Sequence, residues 1–302
     1  MEVKIDERIQ KIAYLDSSPY MKTAIAALMK CDKEVADESL ACLEKIAFRN
    51  LIDGAEVMRG GMLMTLAGRL DRGEITPEAF RDRLAGELVP ASAEAVASTF
   101  AYYFTFPRQV GFIRWNLRVL RYLLFEYEDK LRKVYGNDLE RIPFATAMEY
   151  EIDNILPQVW ETYWRDEVED FCDDLDAASR RPNPHKVLIF TLGNLLLTDF
   201  SSGSGFGNNP WEIKRERIRS GRSFGFFDVA SCENWGRKEI EARGRSILKF
   251  LGELIGCEFT EDQIRKALFA TPEIYAEGSG ENHDRANILA RVGFCKDCGR
   301  KD

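Results

Sequence analysis

The sequence contains only two histidines, His185 and His283, among its 302 residues. Histidine-rich zinc sites and most Ser-His-Asp arrangements are therefore hard to build from this chain. It also lacks any apolar run close to the roughly 18 residues that span a bilayer. Its N-terminus, MEVKIDERIQKIAY, lacks the apolar core of a signal peptide. These absences predict a protein that works in the cytoplasm and does not enter a membrane.

A disulfide framework and a general excess of positive charge are also absent. The seven cysteines are odd in number and scattered, a pattern typical of buried thiols in a reducing compartment. Lys and Arg total 42 against 50 Asp and Glu, and the formal net charge is −8. This balance excludes the global charge of a general nucleic-acid binder. Any contact with DNA has to come from local basic patches.

Helical patterning dominates the first half of the chain. Residues 1–140 carry apolar side chains at three- and four-residue spacing and predict a helical domain that acts as a scaffold or partner-docking surface. Ser18-Pro19 predicts a break after the first helix, and Thr76-Pro77 predicts an N-cap followed by proline at the first helical position. The longest helix is predicted from about Gln109 to Tyr135.

The second half of the chain has a different pattern. Two β-like runs, 149–158 and 186–198, precede a turn-rich segment and a basic helix that is predicted to start at Asn209-Pro210. The predicted fold class is therefore mainly α (α+β), with a helical N-terminal domain and a second helical domain that contains a small strand-strand-helix element. A C-terminal helical tail, 256–302, carries a CxxC motif.

One constellation of residues points to metal chemistry. Asp153 lies at the end of the first strand, the second strand carries Leu192-Gly193-Asn194-Leu195, and the basic helix follows Asn208 and continues to Lys214. A hairpin that faces a helix N-terminus can hold one divalent ion between a carboxylate and an amide oxygen. Such hard ligands suit Mg²⁺, which completes its shell with waters and substrate phosphate.

These residues resemble the C-terminal HNH-like nuclease domain of the GmrSD family of modification-dependent restriction enzymes. The resemblance covers roughly residues 110–252. It is carried by short motifs in matching order, whose residues are Arg121 to Leu124, Asp153, Pro157, Gln158, Leu192 to Leu195, Asn208, Trp211, Lys214, Trp235, Ile240 and Arg243.

The resemblance implies an HNH-like nuclease domain over 141–255, built around a ββα-metal element. It implies a role in restriction or anti-phage defence, in which foreign or modified DNA is cut with Mg²⁺ or Mn²⁺. Asp153 and Asn208 match the family's metal ligands, and Lys214 matches a residue of its catalytic motif. Two-component members pair this part with a ParB-like nucleotide-hydrolysing subunit, whose Asp-Gly-Gln-Gln-Arg signature is absent here. A partner of that kind is therefore predicted.

Asn154 is the main departure from the family pattern. The family has His there, as the general base that activates water, and an amide cannot accept a proton near neutral pH. General-base catalysis typically contributes ~10²–10⁴-fold, so its loss predicts a severe defect. The family's middle asparagine also falls on Gly203. Three explanations stay open: a natural pseudo-nuclease that binds DNA or a protein partner without cutting, an engineered inactive form, or rescue by another base such as His185.

Basic residues are concentrated around the predicted site. Residues 211–245 contain nine Lys and Arg against six Asp and Glu. Lys214, Arg215, Arg217 and Arg243 are predicted to contact DNA phosphates, which would give sequence-independent and salt-sensitive affinity. Helix faces with internal ion pairs are an equally good interpretation of the same pattern.

The CxxC motif of the tail, Cys295 and Cys298, is half of a four-cysteine zinc site. A closed structural site needs four ligands, and no second CxxC exists. Cys257 and His283 are candidates to complete it. An exposed thiol pair or a zinc site shared between chains is the alternative.

Overall fold

The computed structural model describes residues 2–52, 56–105, 117–135, 141–166, 188–199, 206–221 and 224–269. Within these ranges the structure is mainly α-helical and contains one two-stranded sheet. The predicted fold class is confirmed at this level. None of the described helices has the length and apolar character that a bilayer crossing requires.

The packing divides the chain into two compact units. Of the described residues, the first unit holds those up to Val96 together with Leu254–Cys257. The helices α3 and α1 pack together, as do α3 and α5, and α2 lies along α4. The helices of this unit are α1 (Glu2–Leu15), α2 (Pro19–Leu28), α3 (Lys33–Ile52), α4 (Gly60–Asp71) and α5 (Pro77–Glu87).

Two helix starts in this unit follow local capping chemistry. The Ser18 hydroxyl accepts a hydrogen bond from the backbone N–H of Met21 at 3.5 Å, and α2 begins at the next residue after the cap. The Thr76 hydroxyl accepts one from the Ala79 N–H at 3.2 Å, and α5 begins with proline. The predicted break at Ser18-Pro19 and the predicted helix start at Thr76-Pro77 are both confirmed. Side-chain capping satisfies backbone donors that a helix leaves unpaired.

The second unit carries the two strands and the remaining helices. The long helix predicted to end at Tyr135 does end there, and its predicted start near Gln109 lies outside the described residues. The elements are α6 (Ala93–Thr105), which begins just before this unit, α7 (Leu117–Tyr135), α8 (Phe144–Glu149), β1 (Glu151–Asn154), β2 (Leu195–Thr198), α9 (Trp211–Gly221), α10 (Arg237–Ile255) and α11 (Glu261–Phe269). Helix α9 starts within one residue of the predicted position.

Strands β1 and β2 pair antiparallel, with Glu151 opposite Thr198 and Asn154 opposite Leu195. The prediction of a strand throughout 186–198 is wrong for its described N-terminal part. Residues 188–190 are helical and 192–194 form a 3₁₀ turn, so only the last four residues are a strand. Glycine and asparagine are poor strand formers, and the side chain of the asparagine has other hydrogen-bond partners.

Helix α7 fixes the chain just before β1. The Nε of Arg121 donates to the backbone oxygen of Tyr150 at 2.8 Å. The three residues after this arginine, Tyr122 to Leu124, are buried in the core of the unit. The strand is thereby tied to a long helix through the residue just before it. The two compact units reflect packing and not function, so the predicted functional division at residues 140 and 255 stays a prediction.

Candidate functional site

The side chain of Asn194 joins the segments around the hairpin. Its Oδ1 accepts from the Leu156 N–H at 2.8 Å and from the Trp235 indole N–H at 3.1 Å. Its Nδ2 donates to the backbone oxygens of Leu156 and Ile189 at 2.9 and 2.7 Å. Both donors and both acceptor positions of the amide are thus used. This full buried network explains why the chain turns at 192–194 before it becomes a strand.

The turn at 192–194 lies directly against α10. A Cβ atom on Gly193 would be 1.9 Å from the Ile240 oxygen, so only glycine permits this approach. Arg243 of the same helix donates from Nη1 to the oxygens of Gly193 and Leu195 at 2.9 and 2.7 Å. Its Nε donates to Asp228 Oδ2 at 2.7 Å.

Arg243 was predicted to contact DNA, and its placement favours a structural role. Only 7% of the residue is exposed. The guanidinium is directed at a carboxylate and two backbone oxygens inside the protein. A phosphate would have to compete with all three.

Asn154 stands where the resemblance predicts a general base. It is 3% exposed, and its Nδ2 donates to the Ile189 oxygen at 2.7 Å. Along β1, Ile152 and Asn154 are buried, whereas Glu151 and Asp153 on the other face are more exposed. Asn154 therefore faces the interior of the unit and is held there by a backbone carbonyl.

Asp153, the predicted metal ligand, is half-buried. Its Oδ1 accepts the N–H of Asn154 at 2.8 Å. Burial raises the pKa of this carboxyl, while the hydrogen bond and the charge of Lys214 act in the opposite direction. The carboxylate is thus only partly compensated by its protein neighbours.

Lys214 projects from α9 to the end of β1 and has no exposed surface. Its Nζ donates to the Ile155 oxygen at 2.6 Å and to the Asn154 oxygen at 3.4 Å. The ammonium also lies 5.5 Å from the ring centroid of Trp164 and 5.7 Å from that of Phe206. Burial lowers the pKa of Lys214 to about 8, although the nearby carboxylate opposes the shift. This position favours a role inside the site over direct contact with DNA.

Trp164 and Phe206 were not identified from the sequence. Besides facing Lys214, Trp164 donates its indole N–H to the Asn209 oxygen at 3.2 Å. Asn208, the second predicted metal ligand, is exposed in the turn that follows Phe206. The two aromatic residues are 42 positions apart in the sequence, and no spacing rule relates them. No signal in one sequence could have paired them.

The outward side of α9 carries the remaining predicted DNA contacts. Arg215 is half-buried and Arg217 is exposed. The Nε of Arg215 donates to the Ala230 oxygen at 3.2 Å, and the Nε of Arg219 donates to the same oxygen at 3.1 Å. Arg219 was not among the residues singled out from the sequence. Arg219 follows the predicted contact Arg215 by four residues, which is one helical turn, and this spacing could have identified it from the sequence.

Several predicted residues lie outside the described part of the chain, namely His185, Gly203, His283, Cys295 and Cys298. Within the part that is described, no group of three or more His, Cys, Asp or Glu residues could hold a metal ion. The described site thus brings together Asp153, Asn154 and Lys214 at the end of β1, with Asn208 in the turn that precedes α9.

Residues 102–250 match the family model of the C-terminal domain of GmrSD restriction endonucleases. The match includes the hairpin, α9 and most of α10. These residues therefore form a C-terminal domain of the GmrSD restriction endonuclease family, and this domain supports a restriction-endonuclease-family role for the chain. No curated protein and no solved structure matches the chain.

Proposed function

We propose that the chain acts on foreign or modified DNA in a restriction or anti-phage defence system, through an HNH-like site at the end of β1. The observation that carries this proposal is the family match over residues 102–250. In the same range, Asp153, Asn154 and Lys214 are neighbours at one strand end. The cytoplasm is the compartment in which such a protein would meet its DNA, and a ParB-like nucleotide-hydrolysing protein is the proposed partner.

Asp153 and Asn208 are the residues that would hold Mg²⁺ or Mn²⁺. The donor set fits such an ion, because a partly compensated carboxylate and an exposed amide oxygen are both hard ligands. Mg²⁺ needs only one or two protein ligands when waters and substrate phosphate fill the remaining positions. When bound, the ion supplies charge stabilisation for phosphodiester cleavage. Zinc bound by Cys295 and Cys298 would be a separate, structural site.

Asn154 leaves the proposed site without a general base. Its Nδ2 donates to the Ile189 oxygen, and the Nδ1–H of a histidine at this position would occupy nearly the same place. A carbonyl bonded to Nδ1–H fixes the neutral tautomer whose Nε2 can accept a proton. Asn154 therefore retains the anchoring donor and lacks the proton acceptor. We propose that this difference limits cleavage by the chain.

A catalytically inactive pseudo-nuclease is the second candidate, acting as a DNA-binding or protein-interaction subunit. The observation that favours it is the burial of Asn154, which is only 3% exposed on the inner face of β1. A buried amide bonded to a backbone carbonyl offers no base to an attacking water. In this case the fold and the DNA-facing surface would serve targeting or assembly.

Cleavage of supercoiled plasmid with Mg²⁺ or Mn²⁺ tests the proposal, with the natural chain compared with its Asn154→His variant. We expect the histidine variant to cut at least about 10²-fold faster, which is the lower end of the rate enhancement that a general base contributes. The double variant Asn154→His/Asp153→Ala is the matched control and should not cut. This control separates cleavage at the proposed site from contamination.

The other outcomes decide between the candidates. If neither chain cuts but both bind DNA, the endonuclease proposal fails and the pseudo-nuclease stands. If both cut equally, Asn154 does not limit the reaction, and His185 becomes the next residue to substitute. If neither chain cuts or binds DNA, the proposed action on DNA is wrong for this chain.

A further inference from the structure

Two arginines on α9 converge on a single backbone oxygen. Arg215 and Arg219 are one helical turn apart, and both donate through Nε to the Ala230 oxygen, at 3.2 and 3.1 Å. Because the two Nε atoms share one acceptor, they lie within about 6 Å of each other. The guanidinium groups are thus neighbours, and each is held by a hydrogen bond to the same backbone oxygen.

This arrangement has an unbalanced charge. Among the described residues, neither arginine forms an ion pair with a carboxylate, and the shared backbone oxygen is neutral. Arg245 on α10 shows the usual alternative, since it binds Glu241, four residues before it, and also Glu261. Four residues before Arg219 the chain has another arginine, and like charges at this spacing destabilise a helix. An anion bound between the two groups would remove that repulsion.

The bonds to Ala230 use only the Nε–H of each side chain. A guanidinium has five N–H donors, so the terminal nitrogens of both arginines are available to a ligand. Arg215 is half-buried and Arg219 is exposed, so an anion can reach the pair from solvent. Planar N–H pairs match phosphate oxygens in bidentate geometry and make strong, charge-assisted hydrogen bonds.

We propose that Arg215 and Arg219 form a paired guanidinium site for one phosphate of the DNA backbone. The inference rests on the proposed function and deepens it, because it assigns where the DNA backbone is held. It replaces the buried Lys214 and Arg243 as phosphate contacts and adds Arg219, which the sequence-based set omitted. Arg217 lies two positions from each member of the pair and does not share their face of the helix.

Binding of a labelled DNA duplex by the full chain, measured at several salt concentrations, tests the paired site. We expect Arg215→Gln and Arg219→Gln each to weaken binding several-fold. The logarithm of the binding constant falls with the logarithm of the salt concentration, and each phosphate contact makes this slope steeper by about 0.9. The double variant should therefore lose about 1 from that slope, because the two side chains serve one phosphate. A loss of about 2 would mean two independent contacts and would overturn the pairing.

Two controls sharpen this test. Lys249→Gln removes the same charge from an exposed position of α10 and should leave DNA binding unchanged. Arg215→Lys and Arg219→Lys keep the charge but lose the N–H fork, and we expect both to bind more weakly than the natural chain. Full affinity in both lysine variants would overturn the paired site, since charge alone would then suffice.

The result also separates this inference from the proposed function. If the natural chain binds no DNA even at low salt, the proposed action on DNA fails. If the unsubstituted chain binds DNA and both glutamine variants bind it with the same affinity as that chain, only the paired site is wrong. Thermal melting of each variant shows whether it folds. If the double variant does not fold, the single variants decide whether the paired site exists.

Discussion

Lys214 and Arg243 carry positive charges that the fold keeps away from solvent. Each donates to two backbone oxygens next to the hairpin, and Arg243 also binds Asp228. The concentration of basic residues in 211–245 made both candidates for contact with DNA. Burial instead makes them internal donors that hold the strand ends in place, since a buried charge is tolerated only when it is paired. Arginines thus differ between the two helices, since Arg243 in α10 is buried whereas Arg219 in α9 is exposed.

Replacement of Arg243 by methionine tests this assignment. We expect Arg243→Met to lower the free energy of unfolding by about 3 kcal/mol, because it leaves the Asp228 carboxylate and two backbone oxygens without their partner. Urea denaturation measures the change. Lys249→Met, at an exposed position of the same helix, should stay within about 0.5 kcal/mol of the natural chain. Normal stability combined with lost DNA affinity would instead support the DNA contact predicted from the sequence.

At the scale of elements, the central contact is the one between the turn at 192–194 and α10. The two segments approach so closely that Gly193 meets the Ile240 oxygen, and Gly244 of α10 faces the nitrogen of Gly193. Glycine on both sides permits this distance, and Arg243 then spans it with hydrogen bonds. The contact sets where β2 begins.

Gly193→Ala should therefore be strongly destabilising. The added methyl group would lie 1.9 Å from a backbone oxygen of α10, so the backbone itself has to move. We expect a loss of about 3 kcal/mol in the free energy of unfolding, at the upper end of overpacking costs. Gly86→Ala in α5 is the matched control, since nothing lies within 4 Å of its added methyl group.

The control variant should gain about 0.5–1 kcal/mol, because alanine restricts the unfolded chain. Denaturant midpoints of the two variants compare the effects directly. Equal stability of Gly193→Ala and the natural chain would mean that the turn and α10 separate readily. In that event the start of β2 would depend on the Asn194 hydrogen bonds alone.

The sequence predicted those element boundaries that depend on neighbouring residues in the chain. The break before α2 and the start of α5 were predictable because one hydroxyl and one proline decide each. The start of β2 was not predictable, because it depends on Asn194 bonding to residues 38 and 41 positions away. The aromatic neighbours of Lys214 were missed for the same reason. Motif order predicted the site, and tertiary contacts show where each of its described residues lies.

At the scale of the whole molecule, the stability is expected to depend on the ionisation of Glu128 in α7. This residue is 3% exposed and accepts the Gly225 N–H at Oε2, 3.1 Å away. Burial, aided by the charge of Asp228, raises the pKa of Glu128 to about 7, against the effects of that hydrogen bond and of Arg132 and Arg243. The folded protein therefore holds a proton that the unfolded chain releases near pH 4.5.

This difference predicts that stability falls as the pH rises from about 4.5 to about 7, because the folded state binds more protons than the unfolded state in this range. The contribution of Glu128 amounts to at most about 3 kcal/mol. Glu128→Gln keeps an oxygen for the Gly225 N–H and cannot ionise. Urea denaturation from pH 4.5 to 8 measures the free energy of unfolding of both chains. We expect the variant to become increasingly more stable than the unsubstituted chain as the pH rises. A constant difference would contradict the raised pKa.

The anchoring of the hairpin has a consequence for exchanging parts between related proteins. Each strand has only four residues, and an isolated hairpin of this size is at best marginally stable. Its supports come from Arg121 in α7, Lys214 in α9 and Arg243 in α10. The site is therefore not a portable module. A chimaera will keep it only if both crossover points lie outside residues 121–243, so that hairpin and supporting helices come from the same parent.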